Sequence, residues 1–221
     1  MNETIEEILY KGANSINISL TPGEIGLFKI YITELKRWDS KINITAIHDD
    51  LEIIVKHFID SLSPLHYIPH CSSILDIGSG GGFPGIPLKI AGPSLSVTLL
   101  DSTLKRVNFQ KQIIRLLHLN DINALHGRAE DKTSISRMAS SFDVVISRAL
   151  SSLGKFITTG DPYLKRDGVL IAMRGREAKK ELAENKELLA HLKLELDKIV
   201  EFNLPYLNDK RSLIILTRQS S

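Results

Sequence analysis

The sequence predicts an α/β fold with a mostly parallel, three-layer sheet, an antiparallel closing strand and a helical N-terminal cap. Apolar residues with helical spacing occupy the first 66 residues, and short apolar runs alternate with helical segments from residue 73 onward. A glycine-rich turn follows the first of those runs directly. The chain of 221 residues suffices for one sizeable core with an appended element. We therefore expect a helical cap over residues 1–66 and a sheet core over 67–221.

The cap is predicted from three segments. In the second, Thr21 and Pro22 suit the N-cap and first position of a helix. Apolar side chains then recur at three- and four-residue steps at Ile25, Phe28, Ile32, Leu35 and Trp38. A similar pattern over residues 51–65 indicates a further helix, and Pro69 ends it.

The core is predicted from five short apolar runs and two closing strands. The five runs cover residues 73–77, 97–101, 123–126, 142–147 and 169–173. The closing strands, one of them antiparallel, cover 192–197 and 211–217, and helices are expected at 104–119 and 177–191. Strands that alternate with helices at these intervals favour a parallel sheet.

Composition excludes several classes of protein. No apolar run approaches the roughly 20 residues that span a bilayer, so no membrane partner is expected. The acidic N-terminal stretch does not resemble a secretory signal. Cys71 is the single cysteine, which excludes an internal disulfide and predicts a small core residue. These features predict a cytoplasmic protein, while the net charge of +2 leaves a nucleic-acid partner open.

The stretch 74–85 holds the strongest local signal. Four of the five residues from 78 to 82 are glycine, which permits a tight turn and the close approach of a ligand. Gly80, Gly82 and Gly85 fit the dinucleotide pattern G-x-G-x-x-G, and Asp101 ends the next strand, where a ribose-binding acid would lie. The same residues also allow a purely structural turn, and an acid at a strand end is often a helix N-cap.

Asp76 favours a different adenosyl ligand. It lies inside the first strand, two residues before Gly78, where its carboxylate would repel a pyrophosphate but attract the sulfonium of S-adenosyl-L-methionine. Phe83 and Pro84 also crowd the start of the following helix. We therefore interpret the loop as a site for S-adenosyl-L-methionine, with an NAD-dependent oxidoreductase as the alternative.

Several motifs resemble the RsmG family, also called GidB, the small-subunit ribosomal RNA guanine-N7 methyltransferases. The resemblance covers nearly the whole chain. The glycine motif is common to many methyltransferases, whereas its Gly-Gly-Phe-Pro-Gly-Ile-Pro extension and the Gly-Arg-Ala-Glu and Ser-Arg-Ala motifs are more restrictive. The matching stretches are 38–47, 56–62, 76–87, 100–106, 127–130 and 142–149.

This resemblance implies a Rossmann-like methyltransferase sheet, S-adenosyl-L-methionine as cofactor, and a guanine of 16S ribosomal RNA as target. The partner would be small-subunit ribosomal RNA or a ribosomal subunit precursor, and we expect a monomer. The implied cofactor-binding residues are Gly78, Phe83, Asp101, Ala129, Glu130 and Arg148. The sequence departs from the family at Asp39, where asparagine is frequent, and at Arg174, where lysine is frequent.

Arg148 is the candidate catalytic residue. It follows the fourth predicted strand, and ligands bind at the carboxyl ends of strands in open α/β sheets. It could pair with the cofactor carboxylate or guide an RNA phosphate; a surface cation is the simpler alternative. Guanine N7 carries a free lone pair, so methyl transfer needs alignment and no general base.

Basic residues near strand ends are the candidates for RNA contact. On one face they would form a phosphate-binding patch, although each alone is compatible with an ordinary solvated surface. The candidates are Lys105, Arg106, Lys165 and Arg174. The seven histidines show no metal-ligand spacing, so no metal is predicted. A catalytically silent RNA-binding factor on the same fold remains a further alternative.

Overall fold

The computed structural model describes residues 3–148 and 150–219. It contains one seven-stranded sheet of order β3-β2-β1-β4-β5-β7-β6, in which β7 runs antiparallel to both neighbours. The strands are β1 (Ser73–Ile77), β2 (Ser96–Asp101), β3 (Ile122–His126), β4 (Phe142–Ser147), β5 (Leu164–Arg174), β6 (Leu194–Asn203) and β7 (Lys210–Arg218). The predicted mostly parallel sheet with an antiparallel closing strand is confirmed.

Ten α-helices are described. They are α1 (Ile5–Ser15), α2 (Pro22–Ile42), α3 (Asp50–Ile53), α4 (Asp60–Leu62), α5 (Gly85–Ala91), α6 (Leu104–Leu116), α7 (Lys132–Met138), α8 (Leu153–Gly160), α9 (Ala178–Glu184) and α10 (Lys186–His191). A π-helical turn (Ile54–Ile59) joins α3 to α4, and a 3-10 turn (Ser63–Tyr67) follows α4. No helix in the described ranges is both long and apolar enough for a membrane crossing.

The first two helices begin at capping boxes. The Thr21 hydroxyl accepts the Glu24 N–H, and the Glu24 carboxylate accepts the Thr21 N–H, with Thr4 and Glu7 repeating the arrangement. Each box satisfies helix N–H groups that would otherwise lack partners. The predicted Thr21–Pro22 start of α2 is therefore confirmed.

Apolar side chains cover both faces of the sheet and make a three-layer structure. On one face, the cap and the helices α5 and α6 pack against side chains such as Val97 and Ile146. On the other face, α8, α9 and α10 pack against side chains such as Leu75 and Val145. The cap shares a continuous core with the sheet, so it is held there by apolar burial. The boundary at residue 66 stays a prediction.

Three local expectations are wrong. β5 begins at Leu164, five residues before the predicted start, because the strand continues its parallel pairing with β4 back to Phe142. The helix expected over 177–191 is divided at Asn185, whose side-chain amide donates to the Glu181 carbonyl. Cys71 is exposed, in a left-handed backbone conformation before β1.

The parallel strands place their carboxyl ends along one side of the sheet, which we call the carboxyl edge. β1, β2, β3, β4 and β5 all end there, and the antiparallel β7 begins there beside the end of β6. The predicted ligand residues that follow strand ends are thus brought to a common side.

Candidate functional site

The glycine loop, residues 78–85, leaves β1 at the carboxyl edge. Gly78, Gly80 and Gly82 have φ values of 71°, 56° and 92°, which L side chains rarely adopt. A Cβ at Gly82 would lie 2.7 Å from the Tyr31 hydroxyl oxygen, whereas one at Gly78 would meet no atom within 4 Å. The first glycine therefore borders open space suited to a ligand, and the third is packed against the cap.

Side chains from three other elements hold this loop. The Asp101 Oδ2 accepts the Gly80 N–H at 2.8 Å, and the Gln110 Nε2 donates to the Gly80 carbonyl at 2.7 Å. The Tyr31 hydroxyl donates to the Gly81 carbonyl. The loop is thus fixed before any ligand binds, which reduces the entropic cost of binding.

Sequence reasoning missed both Tyr31 and Gln110. Tyr31 lies between Phe28 and Leu35 on the apolar stripe of α2, where a tyrosine is an apolar side chain with one polar end. Gln110 is fully buried in α6, four residues before Ile114. A glutamine on the buried face of a predicted helix is a signal that could have identified it, because buried amides require partners.

Asp76 is fully buried at the start of the site. Its Oδ2 accepts the Gly85 N–H at 2.9 Å, while its Oδ1 has no partner within the described chain. Burial raises the pKa of Asp76 to about 7, although the Gly85 hydrogen bond and Arg148 oppose the shift. A buried carboxylate oxygen without a partner is costly. It therefore fits a ligand that brings a positive charge or a hydrogen-bond donor.

Asp101 serves the loop and the turn before α6 together. Its Oδ1 accepts the Thr103 N–H at 2.8 Å in that turn, while its Oδ2 holds Gly80. Thr103 is the N-cap of α6 and no side chain among the described residues caps that helix, so the N-cap interpretation of Asp101 is wrong. Its role at a ribose stays a prediction.

Ala129 and Glu130 follow β3 on the same edge. The Gly127 N–H donates to the Asp101 carbonyl at 3.0 Å, which ties this segment to the end of β2. The Ala129 carbonyl accepts the Tyr163 hydroxyl at 2.6 Å, and Glu130 is exposed, 3.4 Å from Lys155 Nζ. The structure therefore ties the segment after β3 to the end of β2, and the cofactor contacts of Ala129 and Glu130 stay predictions.

Phe83 joins the glycine loop to the cap. Its ring is buried and stacks on His57, with centroids 4.6 Å apart, and on Tyr31, with centroids 5.5 Å apart. The Arg148 guanidinium carbon lies 5.1 Å from the ring centroid, within the range of a cation–π contact. The ring is thus committed to packing inside the protein, and its predicted contact with a cofactor stays a prediction.

Arg148 follows β4 and is bonded to the cap. Its Nη1 donates to the Lys56 carbonyl at 2.6 Å, and its Nη2 lies 3.0 Å from His57 Nδ1. Burial, assisted by the Arg148 charge, lowers the pKa of His57 to about 3. His57 is therefore neutral: Nδ1 accepts from Arg148, and Nε2 donates to the Thr45 hydroxyl 2.7 Å away.

A cavity of about 390 Å³, which we call the cap cavity, opens between the cap, the ends of β4 and β5, and the start of β7. Arg148, Asp60, Arg174 and Arg211 line it. The Asp60 Oδ2 accepts from Arg211 Nε at 3.3 Å and lies 4.0 Å from Arg148 Nη1. Burial raises the pKa of Asp60, and the two arginines oppose the shift. The cavity thus holds paired charges at the carboxyl edge.

Two cavities of about 630 and 640 Å³, each well above the cap cavity in volume, lie at the other edge of the sheet. The first is bordered by residues such as Gly92 and Leu95, just before β2, and the second by residues such as Arg166 and Lys193, near the starts of β5 and β6. Both are therefore at the amino ends of parallel strands. Ligands of open α/β sheets bind at the carboxyl ends, so we assign the site to the smaller cap cavity.

The predicted basic patch is divided by the structure. Lys105 and Arg106 open α6 directly after β2, and Arg174 ends β5, so these three lie at the carboxyl edge. Lys165 lies at the opposite edge, where its Nζ is 2.8 Å from Asp143 Oδ1. The expected common face is therefore wrong for Lys165, because β5 already begins at Leu164.

Arg174 is more buried than an ordinary RNA-contact residue, with 8% of its surface exposed. Its Nη1 donates to the Leu150 carbonyl at 3.2 Å, and its Nε lies 3.4 Å from Glu181 Oε2. Burial lowers the pKa of Arg174, while Glu181 opposes the shift. Its guanidinium supports the wall of the cap cavity, and its contact with RNA stays a prediction.

The last features to place are the Ser-Arg-Ala motif and any metal-binding cluster. Ala149, the last residue of the Ser-Arg-Ala motif, lies outside the described residues. In the described parts, 3–148 and 150–219, no group of three His, Cys, Asp or Glu side chains could hold a metal ion.

The chain is similar to a family of known proteins. The sequence profile of the GidB family, described as rRNA small subunit methyltransferase G, matches residues 24–214. The chain is 42% identical to ribosomal RNA small subunit methyltransferase G of Geobacter sp. strain M21, over 99% of this chain and 100% of that protein. It is 39% identical to the protein of the same name from Acetivibrio thermocellus, over 97% of this chain and 88% of that protein.

Solved structures share the fold at low identity. A SAM-dependent methyltransferase from Aquifex aeolicus superposes with a TM-score of 0.60 at 16% identity, over 79% of this chain and 97% of that one. M. jannaschii TYW2 in complex with AdoMet gives 0.58 at 16% identity, over 73% and 76%. At these identities the likenesses show that the chain shares the fold of these two structures.

Proposed function

The chain belongs to the family of ribosomal RNA small subunit methyltransferase G, and from this membership we propose that it methylates N7 of a guanine in 16S ribosomal RNA. The donor is S-adenosyl-L-methionine. The observation that carries the proposal is the pairing of a ligand-ready glycine loop with the charged cap cavity at one sheet edge. The family membership also decides against the NAD-dependent oxidoreductase that the glycine pattern left open.

The donor side is held by residues around the glycine loop. Gly78 offers backbone without a side chain beside open space, and Asp101 would accept the ribose hydroxyls, as acids at this position of such sheets do. The unpartnered Oδ1 of Asp76 would face positive charge, since opposite charges attract strongly where water is excluded. These residues fit the cationic donor and would be less suited to a pyrophosphate.

The reaction requires no proton transfer. S-adenosyl-L-methionine supplies an electrophilic methyl group, so that an N7–carbon bond forms, the sulfur–carbon bond breaks and the positive charge moves to the guanine ring. His57 agrees with such chemistry, because its pKa of about 3 and its two bonded nitrogens make it a poor general base. The protein's task is alignment of the two reactants.

The acceptor side is the cap cavity. We assign Arg148 as the catalytic residue there. Its guanidinium contacts Phe83 of the glycine loop and also lines the cap cavity, so it lies between the donor and acceptor sides. Its guanidinium is a hydrogen-bond donor suited to guanine O6, which neighbours the reacting N7. We further propose that the protein acts as a monomer, and the ribosomal substrate supports a cytoplasmic location.

A direct test uses unmethylated small-subunit ribosomal RNA from cells that lack this protein. The RNA is incubated with the purified protein and methyl-labelled S-adenosyl-L-methionine, and the product is digested and mapped by mass spectrometry. The expected product is 7-methylguanosine at one position, with stoichiometry approaching one methyl group per RNA.

Two outcomes would contradict the proposal. Methylation of an exocyclic amine or a pyrimidine carbon would refute the assigned atom. RNA binding without methyl transfer, in naked RNA and in assembled subunits alike, would identify a silent RNA-binding factor. Heat-denatured protein serves as the control for non-enzymatic methylation.

A further inference from the structure

A second cavity lies beside the cap cavity at the carboxyl edge. It measures about 400 Å³, is formed by the segment after β5 and by the β6–β7 hairpin, and is here called the hairpin cavity. The residues that line it are Arg176, Glu201, Phe202, Asn203, Lys210, Arg211 and Ser212. Its volume falls within the range of small-ligand sites, about 300–1,000 Å³.

The hairpin cavity and the cap cavity share one lining residue. Arg211 lines both of them. The Ser212 hydroxyl donates to the Gly175 carbonyl at 3.0 Å, which closes the wall between β7 and the end of β5. The two cavities are therefore neighbours, as the sites for two successive nucleotides of one strand would be.

The hairpin cavity carries positive charge that the protein does not neutralise. Arg176 and Lys210 are exposed, and neither forms an ion pair with any residue among 3–148 and 150–219. Glu201, the one acid in the lining, is bonded to Lys179 at 2.7 Å. The cavity is thus suited to an anion.

Arg211 is held in place from the cap side. Its Nε donates to the buried Asp60, and its Nη2 lies 3.6 Å from Asp209 Oδ2. About a quarter of its side chain, 24%, is exposed. A guanidinium oriented by carboxylates keeps further N–H donors for a phosphate.

We propose that the hairpin cavity binds the nucleotide directly next to the target guanosine. This inference rests on the proposed function. The phosphate that joins the two nucleosides lies at Arg211, and the outer phosphate lies between Arg176 and Lys210. The half-buried Phe202 ring supplies an aromatic surface for the base, as in other single-strand binding sites.

The test compares two charge-matched double variants. Arg176→Gln/Lys210→Gln removes the free cations of the hairpin cavity. Arg166→Gln/Lys193→Gln removes two exposed cations from the 640 Å³ cavity near the starts of β5 and β6, and is the control. Binding of fluorescently labelled, unmethylated small-subunit ribosomal RNA is measured by anisotropy at several salt concentrations, and binding of S-adenosyl-L-methionine is measured by calorimetry.

The hairpin variant is expected to bind the RNA roughly tenfold more weakly and to reduce the salt slope by about 2, one for each lost phosphate contact. The control should change the RNA affinity less than about twofold. S-adenosyl-L-methionine should bind both variants like the wild type. The KM for RNA should rise in the hairpin variant while kcat is retained.

The inference is overturned if the hairpin variant loses no more RNA affinity than the control. It is also overturned if RNA binding is intact and the variant instead loses an acidic ribosomal-protein peptide, which would make the cavity a protein-binding site. Failure of the proposed function is a separate result, because then the wild type itself transfers no methyl group to guanine N7.

Discussion

The glycine loop and the cap cavity are adjacent, but they are built in opposite ways. The loop is bonded mainly to residues within 31 positions of it, through Asp76, Asp101 and Gln110. In the cap cavity, Arg148 bonds Lys56 at a separation of 92 residues, and Arg211 bonds Asp60 at a separation of 151. The donor side is thus a local structure, whereas the acceptor side exists only when the cap is packed on the sheet.

The two regions also use different interactions. The loop depends on backbone conformation and on neutral hydrogen bonds, apart from its two acids. The cap cavity depends on buried charges that are costly unless every one is paired. A single substitution should therefore be tolerated less well in the cap cavity than in the glycine loop.

The largest effect is expected for Arg148→Ala. It removes the donor to the Lys56 carbonyl and to His57, and it leaves Asp60 with Arg211 as its remaining cation. Methyl transfer should fall by about a thousandfold or more, because both alignment and charge are lost. Kinetic assays with ribosomal RNA would measure it.

Arg148→Lys provides the matched variant. A lysine ammonium cannot reproduce a fork that serves a carbonyl and an imidazole together, so this variant should recover little activity. Exposed Arg166, changed to alanine, should keep the activity. More than a tenth of wild-type activity in Arg148→Ala would show that the cap cavity does not depend on this residue.

The next effect is expected for Asp76→Asn. The asparagine can still accept the Gly85 N–H, but it carries no charge for the sulfonium. The Kd for S-adenosyl-L-methionine should rise by about a hundredfold, equivalent to about 3 kcal/mol for a buried charge interaction. Calorimetry measures the change, and an unchanged Kd would contradict the role of Asp76.

Asp76 also makes the stability of the protein depend on pH. Its folded pKa of about 7 lies above the ordinary value of 3.8 because of burial. The folded state therefore holds this proton more tightly, so the contribution of Asp76 to stability falls as pH rises from 3.8 to about 7 and then levels off. At pH 8, Asp76→Asn should melt no lower than the wild type.

Cofactor affinity should rise with pH, whereas the contribution of Asp76 to stability falls. In the wild type, binding of the cationic donor should strengthen as pH rises through 7 and Asp76 becomes charged. Asp76→Asn should bind S-adenosyl-L-methionine more weakly than the wild type at high pH, and its affinity should not change as pH passes through 7. A pH profile that persists in the variant would assign the titration to another group.

The contrast between local and long-range structure also explains what the sequence could predict. The strands, the loop, Asp76 and Asp101 follow from short patterns, because each signal lies within a few residues. The partners of Arg148 were not predicted, since nothing near residue 148 indicates that it meets Lys56 and His57. Lys165 was misplaced because a basic pair near a strand does not show which end of the strand it occupies.

A smaller effect is expected for Tyr31→Phe, which tests the hydrogen bond from the cap to the glycine loop. The variant keeps the ring packing on Phe83 but leaves the Gly81 carbonyl without its donor. The loss should cost about 1–3 kcal/mol, divided between stability and cofactor affinity. Thermal unfolding with and without S-adenosyl-L-methionine separates these two shares.

Gln110→Leu is the variant to compare with Tyr31→Phe, because Gln110 holds the glycine loop from α6 and not from the cap. It removes two donors to the loop, at the Ser79 hydroxyl and the Gly80 carbonyl. If Tyr31→Phe weakens cofactor binding as much as Gln110→Leu, the cap supports the donor side as well as the acceptor side. If Tyr31→Phe affects neither quantity, the two regions are independent.

The smallest effect is expected for Lys165→Gln, which tests the corrected placement of the basic residues. Lys165 lies at the amino edge, away from both cavities, so RNA affinity should stay within about twofold of the wild type. Lys105→Gln/Arg106→Gln, at the carboxyl edge, should weaken RNA binding in the same anisotropy assay.

Lys165→Gln should instead act on stability through Asp143. Burial alone would raise the pKa of Asp143, but hydrogen bonds from Lys165 and Ser73 outweigh it and lower the pKa to about 2. The resulting stability is present above pH 3.8 and is lost as pH falls through 2. The Lys165 and Asp143 side chains are 44% and 39% exposed, so solvent screening limits the loss to about 1 kcal/mol or less. A loss of RNA affinity in this variant would mean that RNA contacts both edges of the sheet, and the carboxyl-edge site would then describe only part of the interface.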